Sequence, residues 1–284
     1  MRVLIFGKTG QVAQELQRFE GITALGREDA DLNDPAACAE IIANTDADIV
    51  INAAAYTAVD AAETDTDKAF VVNADAPKAM AEAAAKRAMP FLHISTDYVF
   101  DGTGTTPWRE DDPTAPLGIY GSSKLAGEHG VRAVGGSHAI LRTSWVVSAH
   151  GTNFVRTMLR LGTERDALNI VADQIGGPTC ARDIAAALMH MARKLIDDPS
   201  TSGTYHFAST PDTSWADFAR EIFTQAGLSC DVTDIPSSAY PTPAARPKNS
   251  RLDCTKIATV FNINRPDWRI GLADILSDLK AGTA

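Results

Sequence analysis

The stretch "YGSSKLAGE" (residues 120–128) sets Tyr120 four residues before Lys124. On a helix that spacing stacks the two side chains on one face. A phenol titrates near ~10, and a neighbouring ammonium stabilises the phenolate and lowers that value. Tyrosine then becomes an acid or base usable near neutral pH. Alone, the pair also has an ordinary reading, two half-exposed residues on a helix surface. The preceding segment "ISTDYVFDG" (residues 94–102) adds Ser95 and Thr96 at the end of the apolar run "FLHIS". Their hydroxyls can donate to a substrate oxygen, or can only cap a turn. A hydroxyl at a strand end followed by Tyr-x-x-x-Lys on the next helix is a proton-transfer set.

Such a set needs something to exchange with. "GKTGQVA" (residues 7–13) follows a short apolar run and carries Gly7, Gly10 and Ala13. Gly7 allows a tight turn, Gly10 lets the backbone approach a pyrophosphate, and Ala13 permits close helix–sheet packing. The helix that follows offers free N–H groups to an anion. The alternative is a merely structural turn. Two residues separate the first glycines, where the dehydrogenase fingerprint has one, which points to a related but different family. After the second apolar run stand Gly26 and Arg27 in place of the acidic residue usual for NAD. Arg27 either meets the 2′-phosphate of NADP or is a solvated surface residue. Asp31 either contacts adenine or starts the next helix. Small residues in "NAAAYTAVD" (residues 52–60) leave room for a cofactor at a strand end.

The elements that must position these residues alternate. Strands are predicted at Val3–Phe6, Ile22–Leu25, Asp48–Asn52, Phe91–Ser95 and His138–Ser144, and helices at Gln11–Phe19, Asp34–Asn44 (Asp34 as N-cap, Pro35 at the first position) and Lys68–Ala88, the last interrupted by Pro77. This pattern predicts an α/β fold, a Rossmann-type doubly wound parallel sheet. From Tyr205 the chain reads as more irregular, with prolines clustered in "IPSSAYPTPAARPKNSRL". The predicted division is a dinucleotide-binding domain over 1–147, to which the chain returns at about 179–208, and a smaller substrate-binding region mainly in 148–284.

Bulk properties narrow the class. The chain has 284 residues, 45% of them hydrophobic, which suffices for a large core. A net charge of -10 with no basic run argues against nucleic acid as a partner. Cys38, Cys180, Cys230 and Cys254 are widely spaced, as expected of free thiols rather than a zinc site or disulfide frame. Neither a signal-peptide pattern nor a run of about 20 apolar residues is found, so a cytoplasmic protein without membrane partners is expected.

Read together, "FGKTGQVAQELQ", "NAAAYTAVDAAE", "STDYVFDG", "YGSSKLAGE", "RTSWV", "NFVRTML", "DQIGGPT" and "YPTPAARPKNSRLD" resemble the extended short-chain dehydrogenase/reductases, and among them the dTDP-4-dehydrorhamnose reductases, in order and over nearly the whole chain. The resemblance implies NADPH-dependent reduction of the C4 ketone of dTDP-4-dehydro-6-deoxy-L-mannose to dTDP-L-rhamnose, with NADH as the alternative cofactor. It implies Tyr120 as proton donor, Lys124 holding the nicotinamide ribose and depressing the tyrosine pKa, and Thr96 orienting the ketone. Asp97 and Trp145 match positions facing the deoxysugar nucleotide, although a tryptophan at a strand end can also be core. Arg246 and Asn249 match a loop near the substrate nucleotide, where an arginine suits a diphosphate. The expected cofactor set is Gly7, Thr9, Gly10, Gln11, Val12, Arg27, Asp31, Leu32, Ala53, Ala54, Ala55, Tyr56, Thr57 and Asn73, with Tyr120 and Lys124.

Some members of that family are dimers joined through magnesium and glutamates. Glu15 matches one such position, but "CARDIAA" carries Arg182 where a second glutamate is expected, so no metal is assigned, and a homodimer is one assembly the resemblance allows. Two other readings stand: an NAD-dependent sugar-nucleotide epimerase or dehydratase of the same fold, which would use the same Tyr–Lys pair, and a non-catalytic binding or regulatory subunit.

Overall fold

The computed structural model describes residues 1–282. The elements in chain order are β1 (Val3–Phe6), α1 (Gln11–Leu16), β2 (Ile22–Leu25), α2 (Pro35–Asn44), β3 (Ile49–Asn52), α3 (Val59–Ala62), α4 (Thr66–Phe70), α5 (Ala76–Lys86), β4 (Phe91–Thr96), α6 (Ile119–Val134), β5 (His138–Thr143), β6 (Val146–Val147), α7 (Phe154–Glu164), β7 (Ala167–Val171), β8 (Ile175–Gly176), β9 (Thr179–Cys180), α8 (Ala181–Asp197), β10 (Gly203–His206), β11 (Thr213–Ser214), α9 (Trp215–Ala226), β12 (Asp231–Ile235), β13 (Asn249–Ser250), α10 (Thr255–Phe261) and α11 (Trp268–Ala281). Six strands form one sheet in the order β10-β5-β4-β3-β1-β2, every pair parallel. β1 and β3 are buried along their whole length, which is why they read as unbroken apolar runs rather than alternating ones. Chain order reverses between β1 and β3, so the loops after Phe6 and Asn52 flank the crevice where such sheets take ligands.

Local chemistry explains the boundaries. Asp34 accepts a hydrogen bond from Ala37 N at 3.0 Å, and Pro35 occupies the first turn of α2. The expected break at Pro77 does not occur. A π turn over Val71–Asp75 bridges α4 to α5, with Ala76 N already bonded five residues back to Val71 O. Pro77 lies in the next first turn, so its missing N–H falls where the helical ladder has shifted register. Helix α6, which carries Tyr120 and Lys124, ends at Gly135 in the left-handed conformation (φ 72°).

The C-terminal part is more regular than the sequence suggests. Helix α9 is capped by the Ser214 side chain, which accepts from Asp217 N at 2.9 Å, and stopped by left-handed Gly227. With α7, α11 and the parallel β7–β12 pair it encloses a separate apolar core around Met158, Phe218, Ile222 and Trp268. The proline-rich segment runs back from this region across the mouth of the sheet to β13, which pairs with β8.

Candidate active site

Thr96 ends β4, and the chain turns at once through Asp97–Val99. The Thr96 hydroxyl accepts from Tyr98 N and donates to Asp97 Oδ1, both at 3.2 Å. Tyr120 sits in the first turn of α6, its ring edge-on to Tyr98 with centroids 5.4 Å apart. The ring is half-buried, but its oxygen lies deep, against the Thr96 hydroxyl and the Asp97 carboxylate. Burial, reinforced by the Asp97 charge, pushes the phenol up to about 12 in spite of the Thr96 hydrogen bond. Where the resemblance implied a tyrosine depressed by Lys124, burial raises the phenol, and the Lys124 ammonium is turned to the Ile94 carbonyl and His93. Lys124 Nζ donates to the Ile94 carbonyl at 2.7 Å and lies 3.2 Å from His93 Nε2. Burial lowers Lys124 to about 8, with Glu128 opposing that shift. Asp97 is fully buried and pushed up to about 6 by desolvation, while the hydroxyls of Ser250 and Thr96 favour its charge.

A buried ion pair underlies this helix. Glu128 receives Arg142 Nε and Nη2 at 2.8 and 2.7 Å, and Arg132 at 3.0 Å. Arg142 lies over the Phe100 ring and beside His206, whose burial holds it neutral, down to about 3. Breaking a pair of this kind leaves an uncompensated charge in the interior, so it ties α6, one turn beyond Lys124, to β5.

The glycine turn has the features an anionic cofactor needs. Gly7 adopts φ +112°, and a Cβ there would press on the Ala53 and Ala54 backbone at 3.2–3.3 Å. Gly10 faces open space and begins α1 with no side chain capping its N–H groups. Thr9 and Gln11 flank Gly10 in the chain, Ala53 and Ala54 stand against Gly7, Ala55 and Tyr56 are half-buried with the Tyr56 hydroxyl on Asp65, and Thr57 is exposed. Val12 and Leu32 point their side chains into the core, leaving only backbone for a ligand. Asn73 is fully buried and braces the loop, accepting from Tyr56 N at 2.8 Å and donating to Tyr56 O and Ser123 Oγ. Arg27 is exposed, and Asp31 is occupied by Asn33 N and Nδ2 while Asp34 caps the helix. Arg27 is not alone in that loop: Lys8 reaches it from the glycine turn, pairing with Glu28 at 3.4 Å and Asp29 at 3.8 Å.

On the opposite side, Trp145 is half-buried rather than core. Its backbone takes φ 50°, rare for a side chain of this size, and its ring stacks on Trp215 at 3.5 Å between centroids. Arg246 is clamped onto Asp60 at 3.0 and 2.8 Å, next to Tyr98. Asn249 is buried with its amide spent on the Thr103 and Thr106 carbonyls and on Arg251 N, so it secures the loop. Glu15 is surrounded by His150, Arg18 and Arg182 at 3.1, 3.0 and 3.6 Å. Sequence reasoning did not single out His93, Asn52, Tyr98, Glu128, Arg142, Trp215 or Lys8. A histidine inside the apolar run "FLHIS" was the one available signal, since a buried polar group requires a partner.

Fold and site together define a Rossmann-type α/β oxidoreductase. The chain belongs to the RmlD substrate binding domain family, whose model matches residues 1–281. It is 45% identical over 278 residues to a dTDP-4-dehydrorhamnose reductase of Sinorhizobium fredii, covering 94% of each chain. It superposes with a TM-score of 0.92 on a dTDP-4-dehydrorhamnose reductase from Clostridium acetobutylicum (36% identity, 99% and 100% of the two chains). With the enzyme of that name from Bacillus anthracis, determined in complex with NADP, the TM-score is 0.90 (35% identity, 98% and 99%). Among the described residues no helix is long and apolar enough to cross a membrane.

Proposed function

We propose that this chain reduces the C4 ketone of dTDP-4-dehydro-6-deoxy-L-mannose with NADPH, yielding dTDP-L-rhamnose. The observation that carries this reading is geometric: Tyr120 stands in the first turn of α6 against Tyr98 of the Thr96–Val99 turn, on the helix whose Lys124 turns into the sheet. A reduction needs a proton donor, and a tyrosine pushed up to about 12 holds its proton throughout the neutral range. Bound nicotinamide supplies the hydride. Tyr120 donates from its oxygen to the ketone oxygen as that oxygen becomes a hydroxyl, which is general acid catalysis. Thr96, pinned by Tyr98 N, orients the ketone from the strand side. Lys124 holds the nicotinamide ribose, and its cationic form favours the return of a proton to the phenolate. Arg246, released from Asp60, meets the diphosphate, and Trp145 with Trp215 forms the apolar wall against the deoxysugar.

Two cations support NADPH over NADH: Arg27 just past β2, and Lys8 of the glycine turn, which pairs with Glu28 and Asp29 of the same loop. The pathway supports a cytoplasmic site of action, and family resemblance supports a homodimer, testable by sedimentation. The deciding experiment follows absorbance at the nicotinamide band with this sugar nucleotide and each cofactor. Turnover with exchangeable NADPH is expected. NAD retained through purification, with no net oxidation of NADPH, would favour an epimerase or dehydratase. Binding of dTDP-sugar without turnover would favour a non-catalytic subunit.

A further inference from the structure

A chain of buried polar groups leads away from Lys124 into the sheet. Lys124 Nζ lies 3.2 Å from His93 Nε2, and His93 Nδ1 lies 3.2 Å from Asn52 Nδ2. Asn52 Oδ1 accepts from Ala54 N at 3.1 Å. Ala54 N stands against Gly7 of the glycine turn, 3.3 Å from where a Cβ on that glycine would be. Asn52 and His93 are fully buried, and Lys124 is 2% exposed. Burial and the adjacent ammonium hold His93 neutral, well below the usual imidazole range.

A neutral imidazole carries one proton, so the chain has two self-consistent states. With Asn52 bonded to Ala54 N–H as described, its amide donates to His93 Nδ1. The ring proton is then on Nε2 and needs a lone pair on Lys124, which only the neutral amine has. With Lys124 as ammonium, Nε2 must accept, the ring proton moves to Nδ1, and Asn52 must turn its oxygen toward it. Ala54 N–H then loses its acceptor, a cost of about 1–3 kcal/mol for a buried donor.

We propose that His93 is a positioning residue that couples the charge of Lys124 to the orientation of the Asn52 amide, and through it to whether the Ala54 N–H beside the glycine turn is bonded or free. The switch balances. Lys124–NH3⁺ with His93 protonated on Nδ1 becomes Lys124–NH2 with His93 protonated on Nε2, and one proton leaves to solvent. An acceptor presented to Ala54 N–H favours the charged lysine by linkage. The other charged or titratable groups around Lys124 are Tyr120 and Glu128 on its own helix, with Arg132 and Arg142 on Glu128, and Asp97 beyond Tyr120. Glu128 is compensated by its two arginines and the Ile94 carbonyl takes one Lys124 N–H, which leaves the His93–Asn52 chain as the ammonium's other partner.

The test is the tautomer of His93, read by long-range ¹H–¹⁵N correlation in the intact protein from about pH 6.5 to about pH 9.5, either side of the Lys124 transition. The signals are assigned by their loss in His93→Gln. The expected result is an Nδ1–H ring at the low end that becomes Nε2–H as Lys124 deprotonates, with no imidazolium at any point. One tautomer throughout the range overturns the proposal. Asn52→Asp gives the second arm, because a carboxylate accepts from Ala54 N–H and from Nδ1–H together. It should hold the Nδ1–H form across the range and move the alkaline limb of kcat/KM upward by about one pH unit. A folded Asn52→Asp protein with the wild-type limb and tautomer overturns the coupling. The kinetic arm rests on the reductase reading and the tautomer arm does not, so failure of one is distinguishable from failure of the other.

Discussion

Arg246 grips Asp60 through two guanidinium–carboxylate hydrogen bonds of 3.0 and 2.8 Å, joining the proline-rich C-terminal segment to the helix that follows β3. The arginine assigned to the diphosphate is therefore already paired when no ligand is present, and the ligand must compete with a carboxylate. Arg246→Ala should raise KM for the sugar nucleotide about ten- to a hundredfold, the worth of a charge-assisted contact of roughly 1.5–3 kcal/mol. Asp60→Asn should tighten dTDP binding, because the amide still accepts from Ala244 N but no longer neutralises the guanidinium. Direct titration with dTDP separates the two. Weaker binding in Asp60→Asn would mean that the pair organises the loop rather than opposing the ligand.

Tyr120→Phe removes the phenolic proton and keeps the ring that packs against Tyr98. Turnover should fall ~10²–10⁴-fold with cofactor affinity little changed. A variant that keeps most of its kcat would exclude this residue as the acid.

Lys124 bears a cost of burial. Its folded value, about 8, lies below an ordinary lysine near ~10.4. Below pH 8 both folded and unfolded chains carry the charge, and the folded state bears the full penalty. As pH rises from about 8 to ~10.4 the unfolded chain binds more protons, so wild-type stability gains from this group over that window. Lys124→Met should abolish turnover yet raise unfolding stability at pH 7, by up to ~3 kcal/mol. The gain should shrink toward the alkaline end of the window. Urea unfolding of both proteins at the two ends measures it.

Asp97 gives the opposite profile. Its folded value, about 6, is above an ordinary aspartate near ~3.9. Below pH ~3.9 both states are protonated and nothing is lost. Between there and about 6 the folded chain binds more protons, so stability falls as pH rises. Asp97→Asn should be more stable than wild type at pH 7 by up to ~3 kcal/mol, with the difference vanishing near pH 4. A difference independent of pH would trace to packing instead of charge.

Arg27→Ala should weaken NADPH about ten- to a hundredfold and NADH far less, if its guanidinium meets the 2′-phosphate. Lys8, held near the same loop by Glu28 and Asp29, can supply part of that charge. The comparison therefore includes Lys8→Ala and the double variant, titrated with both cofactors. Equal losses for NADPH and NADH in the double variant would assign both cations to the surface.

The sequence alone determined five of the six strands of the sheet and the Tyr120–Lys124 spacing, while β10 (Gly203–His206) was not among its strands. Buried parallel strands must be unbroken apolar runs, so β1 is legible to the residue and β3 to within one. The Gly7 turn and the Tyr120–Lys124 spacing are local patterns that one helix or turn enforces by itself. Tertiary structure alone decided what those residues experience. Whether Tyr120 titrates high or low depends on burial and on Asp97, and neither is encoded by a four-residue spacing. Lys124 turns toward His93 because β4 lies under α6. Asn249 proves to be spent on its own loop, and Arg246 on Asp60, which is 186 residues away in sequence. The C-terminal helices were missed although α9 carries local signals, the Ser214 cap and the Gly227 stop, because the proline-rich segment after it was read as setting the character of the whole region, and the break at Pro77 failed because a π turn absorbed it. Local geometry is written in neighbouring residues. Solvation and long-range charge pairing exist only once the chain has closed on itself.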